Sequence, residues 1–114
     1  MNNDRRKKIN IEIKQLTNVM GVMKNIEIDR LNNYLEDIKN NIELICDDEQ
    51  ESFDNMPENL QYSIKGEKIE ENVNLLNDVL NLFDDIIDAE EVNREEIEDI
   101  LDEIIDLLND IIYG

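Results

Sequence analysis

Tryptophan and histidine are absent from this 114-residue chain, proline and cysteine occur once each, and there are only three glycines, two phenylalanines and three tyrosines. Each shortage removes a class of protein. Sandwiches and barrels need Gly, Pro and Asn-Gly turns at every strand reversal, so an all-β fold is close to excluded. Without histidine the Glu-x-x-His pairs of di-iron carboxylate bundles cannot be built, and no glycine-rich phosphate loop is present. The single Cys46 cannot close an internal disulfide, whereas a secreted domain this small normally carries an even set, so a reducing cytoplasm is expected. No apolar run approaches the ~20 residues of a membrane span, and no apolar core follows Arg5, Arg6, Lys7 and Lys8 to make a signal peptide. Cations are also scarce: 11 Lys and Arg face 30 Asp and Glu, a formal charge of −19 at pH 7.

The acidity is uneven. Residues 1–40 hold eight basic and six acidic side chains, a net of +2; residues 41–114 hold three and twenty-four, a net of −21. Composition alone would permit an open, self-repelling chain there. Periodicity argues otherwise. Ile9, Ile13, Leu16, Met20 and Met23 recur at steps of 4, 3, 4 and 3, and Ile28, Leu31, Leu35, Ile38, Ile42 and Ile45 continue at 3, 4, 3, 4 and 3. These are helical stripes. The five-residue step from Met23 to Ile28 rotates the stripe by about 100°, so near residues 21–26 the helix bends or two helices meet.

The segment 47–57, DDEQESFDNMP, is acidic, short of aliphatics and closed by the only proline, so it reads as a connection after a helical region of about 4–46. Asn55 is placed to cap the segment that opens near Pro57, and Ser63 to cap a second start, with Gly66 weakening any helix that crosses it. Further stripes are Ile69, Val73, Leu76, Leu80, Phe83, Ile87 and then Ile97, Leu101, Ile104, Leu108, Ile111. Asn93 followed by Glu96 resembles a capping box, which favours helices of about 58–91 and 94–113 over one continuous helix. Leu75–Ile87 aligns without gaps on Ile100–Ile112, apolar on apolar. Leu75, Val79, Leu82 and Ile86 add a second seam to the first copy; Ile100, Ile105, Leu107 and Ile112 add one to the second. Faces this wide imply contact with more than one neighbour. One all-α domain, 1–114, is expected: an antiparallel bundle or coiled coil of three to four long helices, completed within the chain or by a homodimer.

Candidate sites are few. The carboxylates fall on polar helix faces, where nothing raises a pKa for acid–base work. Asp47, Asp48, Glu49, Glu51 and Asp54 lack the glycine and spacing of an EF-hand. Cys46, at the end of an apolar stripe and followed by acids, reads as a small buried hydrophobe. No enzyme, metal or cofactor is expected. The cluster Arg5–Lys8 reads as a partner for the chain's own acids or those of a second subunit. The feature that points outward is a row of carboxylates, Asp84, Asp88, Glu91, Glu95, Asp99, Asp102 and Asp106. On a continuous helix, thirteen acids and one Arg between Asp84 and Asp110 would give roughly one net charge per 3.4 Å, the phosphate spacing along one DNA strand. Such a face suits a host protein with a basic or nucleic-acid-binding surface, and neither nucleic acid itself nor a membrane. The runner-up is a self-assembling coiled-coil structural or adaptor protein.

The core Asp54, Asn55, Met56, Pro57, Glu58, Asn59, Leu60, Gln61, Ser63, Gly66 and Glu67 (DNMPENLQ-x-S-x-K-G-E), followed by acidic amphipathic repeats, resembles small acidic helical proteins encoded by phages and prophages of low-GC Gram-positive bacteria. The likeness covers about residues 47–90, with a weaker echo at Asp4–Ile9. The chain departs from that pattern in its longer amino-terminal helical region and in the run after Glu91. The resemblance implies a mobile-element setting inside a bacterial host cell, and with the acidic face an inhibitor of anti-CRISPR or anti-restriction type; it brings no assigned chemistry.

Overall fold

A computed structural model describes residues 1–87 and 93–114 as five helices: α1 Asn3–Val22, α2 Ile28–Asp54, α3 Glu58–Gln61, α4 Ile64–Ile86 and α5 Arg94–Tyr113. Among the described residues there is no strand. Short polar side chains start three of the long helices. Asn2 Oδ1 accepts from Arg5 N at 2.9 Å, Ser63 Oγ from Gly66 N at 3.2 Å and Asn93 Oδ1 from Glu96 N at 2.9 Å. Each satisfies an amide that the first turn leaves without a carbonyl. Asn93 Nδ2 also donates to Glu96 Oε1 at 3.3 Å, so the box at the start of α5 forms as its spacing suggests.

Four long helices close a ring: α1 touches α2, α2 touches α4, α4 touches α5, and α5 returns to α1. Cross-links fix the directions. Arg5 meets Glu49 and Asn41 meets Glu12, so α1 and α2 are antiparallel; Lys39 meets Asp84 and Asn72 meets Glu49, so α2 and α4 are too. The result is an up-down-up-down four-helix bundle 51 Å long and 24 × 18 Å across. Its core runs end to end through Ile9, Leu16, Leu35, Ile42, Leu76, Phe83, Leu101, Ile104 and Leu108, all fully buried. The second seams Leu75, Leu82, Ile100, Ile105 and Leu107 pack against that core from the flanks. Width that demanded two neighbours per helix is thus used inside one chain.

The slip between Met23 and Ile28 is a corner between two helices. Met23 closes α1, Asn25 N donates to Val22 O at 2.9 Å, and Arg94 at the start of α5 donates to the Met23 carbonyl, tying the corner to the opposite helix. Ile28, expected in the stripe, lies 44% exposed; Ile26 packs on the core instead. In α1 the buried side is Ile9, Glu12, Leu16 and Val19, continued by Met23 at the cap, with Ile13 and Met20 packed on its flank. Glu12 and Val19 line the groove against α2, which centres the buried face about one position away from the aliphatic stripe.

The acidic connection is the largest departure. Residues 47–54 are helical, continuing α2 for two turns past Cys46. The reason is Glu49, the next position in the spacing Leu31, Leu35, Ile38, Ile42, Ile45, where it is fully buried and its charge is met by Arg5. Asp47, Asp48, Glu51 and Asp54 face solvent on the other side of the same turns. Asn55 caps the end of α2 by donating its N–H to Glu51 O; it does not open α3, whose preceding residue is Pro57. Phe53 and Met56 are half-buried at this corner, while Leu60 is 46% exposed. Gln61 Nε2 holds this corner, donating to Phe53 O at 3.2 Å and Met56 O at 3.3 Å.

Gly66, in the first turn of α4, lies against the carbonyls at the end of α3. A β-carbon there would overlap the Gln61 carbonyl oxygen and stand 2.6 Å from the Leu60 carbonyl oxygen, both backbone atoms that cannot swing aside. In an open helix Gly→Ala gains up to ~1 kcal/mol; here overpacking of about 1–3 kcal/mol outweighs it. Gly66→Ala is therefore expected to lower stability, read as a reduced urea midpoint at unchanged helical content. A gain would show that the corner yields freely.

Candidate functional site: an acidic helix face

Ile97, Leu101, Ile104, Leu108 and Ile111 point α5 inward, and 100° per residue then turns Glu95, Asp99, Asp102 and Asp106 out. All four are exposed, as are Glu96, Glu103 and Asp110 beside them. Among the described residues no hydrogen bond or ion pair engages the carboxylates of Glu95, Asp99, Asp102 or Asp106; the three ion pairs are Arg5–Glu49, Lys39–Asp84 and Lys68–Glu71. With eight acids and Arg94 over a ~30 Å helix, α5 carries roughly one net negative charge per 4 Å. Lys24 and Arg94 border only its first turn, in a hollow shared with Glu95, Glu98 and Asp99.

The continuous rod is not what forms. α4 ends at Ile86, with Ile87 already in extended backbone, and α5 starts afresh at Arg94. Gly114 lies near Lys68 Nζ, so α5 runs back antiparallel along α4 and the acids before Ile87 do not extend its row. Asp84, exposed, reaches from α4 to α2, where its Oδ1 is 2.5 Å from Lys39 Nζ; that contact raises the Lys39 pKa above its ordinary value. Asp88 and Glu91 lie outside the described residues. The row assembled by the fold is therefore Glu95, Asp99, Asp102 and Asp106, shorter than a row running from Asp84 and confined to one helix.

Sequence patterning missed the buried polar groups. Glu49 Oε1 accepts from Arg5 Nε at 3.2 Å and its Oε2 from Asn72 Nδ2 at 3.3 Å, joining α1, α2 and α4. This is the self-pairing expected of the basic cluster, made by Arg5. Glu12, 5% exposed, accepts from Asn41 Nδ2 at 3.1 Å through Oε1, while its buried Oε2 has no donor. Burial raises the Glu12 pKa, opposed in smaller measure by the Asn41 bond. Cys46 donates its S–H toward Asn77 Oδ1 at 3.7 Å between α2 and α4. Its thiol pKa is pushed up by burial first, then by Asp47, Glu43 and Glu49, so the nucleophilic thiolate is suppressed.

The raised Glu12 pKa has a definite sign. In the fold the neutral acid is favoured, so Glu12 imposes no penalty below its unfolded pKa; the penalty grows as pH rises and is complete above the folded value. Glu12→Gln keeps an oxygen for Asn41 and removes the charge. Its stability relative to the wild type is expected to be higher at pH 7, with the difference shrinking as pH falls through the raised folded pKa and gone once pH is below about 4.5, in paired urea titrations. A pH-independent difference would contradict the buried-charge account.

The five acids that lack the spacing of an EF-hand, Asp47, Asp48, Glu49, Glu51 and Asp54, belong to α2, with Glu49 committed to Arg5 and Asn72. Among the described residues no three His, Cys, Asp or Glu side chains cluster as a metal site, and no helix is long and apolar enough to cross a membrane. No family model, curated protein or solved structure matches the chain.

Proposed function

We propose that this protein is a non-enzymatic binding protein that presents the carboxylate row of α5 to a cationic, nucleic-acid-binding surface of another protein and occupies that surface in place of DNA or RNA. The observation that carries the reading is the outward, unpaired row Glu95, Asp99, Asp102 and Asp106, held on a helix whose opposite face is fully committed to the core. A fixed row carries less ordering cost than a flexible acidic tail and releases the partner's bound anions as a phosphate backbone would. The likeness of its DNMPENLQ-x-S-x-K-G-E core to phage and prophage proteins makes a defence or nucleic-acid-processing protein of a bacterial host the target class, with the host cytoplasm as the setting. An open, self-assembling coiled coil draws less support, because the wide apolar seams close into a ring within one chain.

The immobilised protein, exposed to bacterial lysate, is expected to retain proteins that bind nucleic acid and to release them to added duplex DNA. Retention should also fall steeply between about 0.05 and 0.5 M salt. Capture indifferent to both DNA and salt would overturn the reading.

A further inference from the structure

The side of the ring opposite α4 and α5 is a groove between α1 and α2. Three hollows lie in line along it: Lys8, Ile11, Leu44 and Asp48 border the first, of about 290 Å³, Gln15 and Asp37 border the second, and Val22, Arg30 and Tyr34 border the third. Ile11 is 53% exposed, Leu44 64% and Val22 48%, so its walls show aliphatic side chains to water. Its two walls differ in sign: α1 carries five cations, Arg5, Arg6, Lys7, Lys8 and Lys14, against two acids, Asp4 and Glu12, whereas α2 carries nine acids against Arg30 and Lys39. Beneath the groove, Glu12 keeps an oxygen without a donor.

We propose that a second copy of this chain docks on the α1/α2 groove, the two copies related by a two-fold axis parallel to the helices. The pairs Arg5–Glu49 and Asn41–Glu12 show which residues of α1 and α2 stand level, and Lys8 and Asp48 border the same hollow. An axis along the helices lays α1 of each copy over α2 of the other without changing level. Lys8 of one copy then faces Asp48 of the second, Ile11 faces Leu44, and the Gln15 carboxamide reaches the level of Asn41 and Glu12. An axis across the helices would set Lys8 opposite Val22 and leave the charges unmatched. Complementarity of charge therefore selects both the occupant and its orientation.

The α4 and α5 faces lie on the far side of each ring, beyond the ~8 Å over which charge acts at physiological ionic strength. The net charge of the chain thus does not forbid this contact, and both α5 rows stay outward, facing opposite ways. From Lys8 to Val22 the groove runs about 21 Å, and two helix widths make the face roughly 400 Å² per copy in projection. That places the pair among the smaller, reversible interfaces, with micromolar affinity expected.

Sedimentation of the full chain across a concentration series tests the proposal, with circular dichroism confirming the helices of each variant. The wild type is expected to shift from 13.5 kDa to twice that mass, and Leu44→Asp to remain a monomer. Lys8→Glu sets two like-charged pairs in its own dimer, and so does Asp48→Lys, so each alone is expected to be monomeric. Mixed together, the two variants place their reversed side chains opposite each other in one contact and keep the native Lys8–Asp48 pair in the other, and the dimer is expected to return. All the substituted positions are exposed, so folding is not at stake. A wild type that stays monomeric to about 0.2 mM, a dimer indifferent to Leu44→Asp, or a mixture no better than its components would overturn it. If the wild type is monomeric yet retains a host protein that Leu44→Asp loses, the groove belongs to that protein and the two-copy proposal is likewise overturned.

Discussion

Replacing Arg5 with alanine is expected to lower stability by about 3 kcal/mol, the cost of stranding one member of a buried ion pair. The Glu49 side chain is fully buried and Arg5 is only 15% exposed, so solvent does not stand in for the guanidinium. Asn72 remains as a partner, but one neutral amide bond does not offset a desolvated carboxylate. The loss should appear as a lower urea midpoint with an unchanged slope. Lys7→Ala, two positions away and exposed, serves as the control and is expected to fall within ~0.5 kcal/mol of the wild type. Replacing both members, Arg5→Met with Glu49→Leu, should recover most of the loss, because no charge is then left in the core. If Arg5→Ala matches Lys7→Ala, the pair does not hold α1 to α2 as described.

The second large effect concerns binding. Reversing Asp99, Asp102 and Asp106 to lysine alters three exposed side chains on the solvent side of α5 and leaves Ile97, Leu101, Ile104 and Leu108 untouched. Each reversal removes an attraction and adds a repulsion against a cationic partner. At about 1 kcal/mol per site, the three together weaken capture of the retained host protein roughly 100-fold. Helical content and sedimentation should stay as in the wild type, which separates lost recognition from lost folding. Equal affinity of the triple variant would remove α5 from the binding surface, whatever else the protein binds.

Where the sequence is regular, it carries the architecture. Ile97, Leu101, Ile104, Leu108 and Ile111 at steps of 4 and 3 are all buried, and Ser63 and Asn93 cap the helices their spacing marks. The break before α5 is legible because Asn93 offers a better start than a helix forced to bury Arg94. The end of α2 is not legible, because a rule that reads aliphatic residues as inside takes Glu49 as outside. Only the fold shows that Arg5, 44 positions earlier, waits to neutralise it. The same limit hides Glu12, placed inward by its neighbour Asn41 on α2. For the candidate site, the outward direction of Glu95, Asp99, Asp102 and Asp106 follows from periodicity alone. The length of the row does not: a repeat of 25 residues fits one unbroken helix as well as two that fold back, and the return of α5 along α4 decides it.

Cys46 gives the bundle an internal clock. It is the sole thiol, and it sits between α2 and α4, one of the two seams that join the hairpin of α1 and α2 to the hairpin of α4 and α5. A thiol-trapping reagent gains access when those hairpins part, so the rate of trapping measures how often the halves separate. Because no second cysteine competes, that breathing can be timed in the unaltered chain.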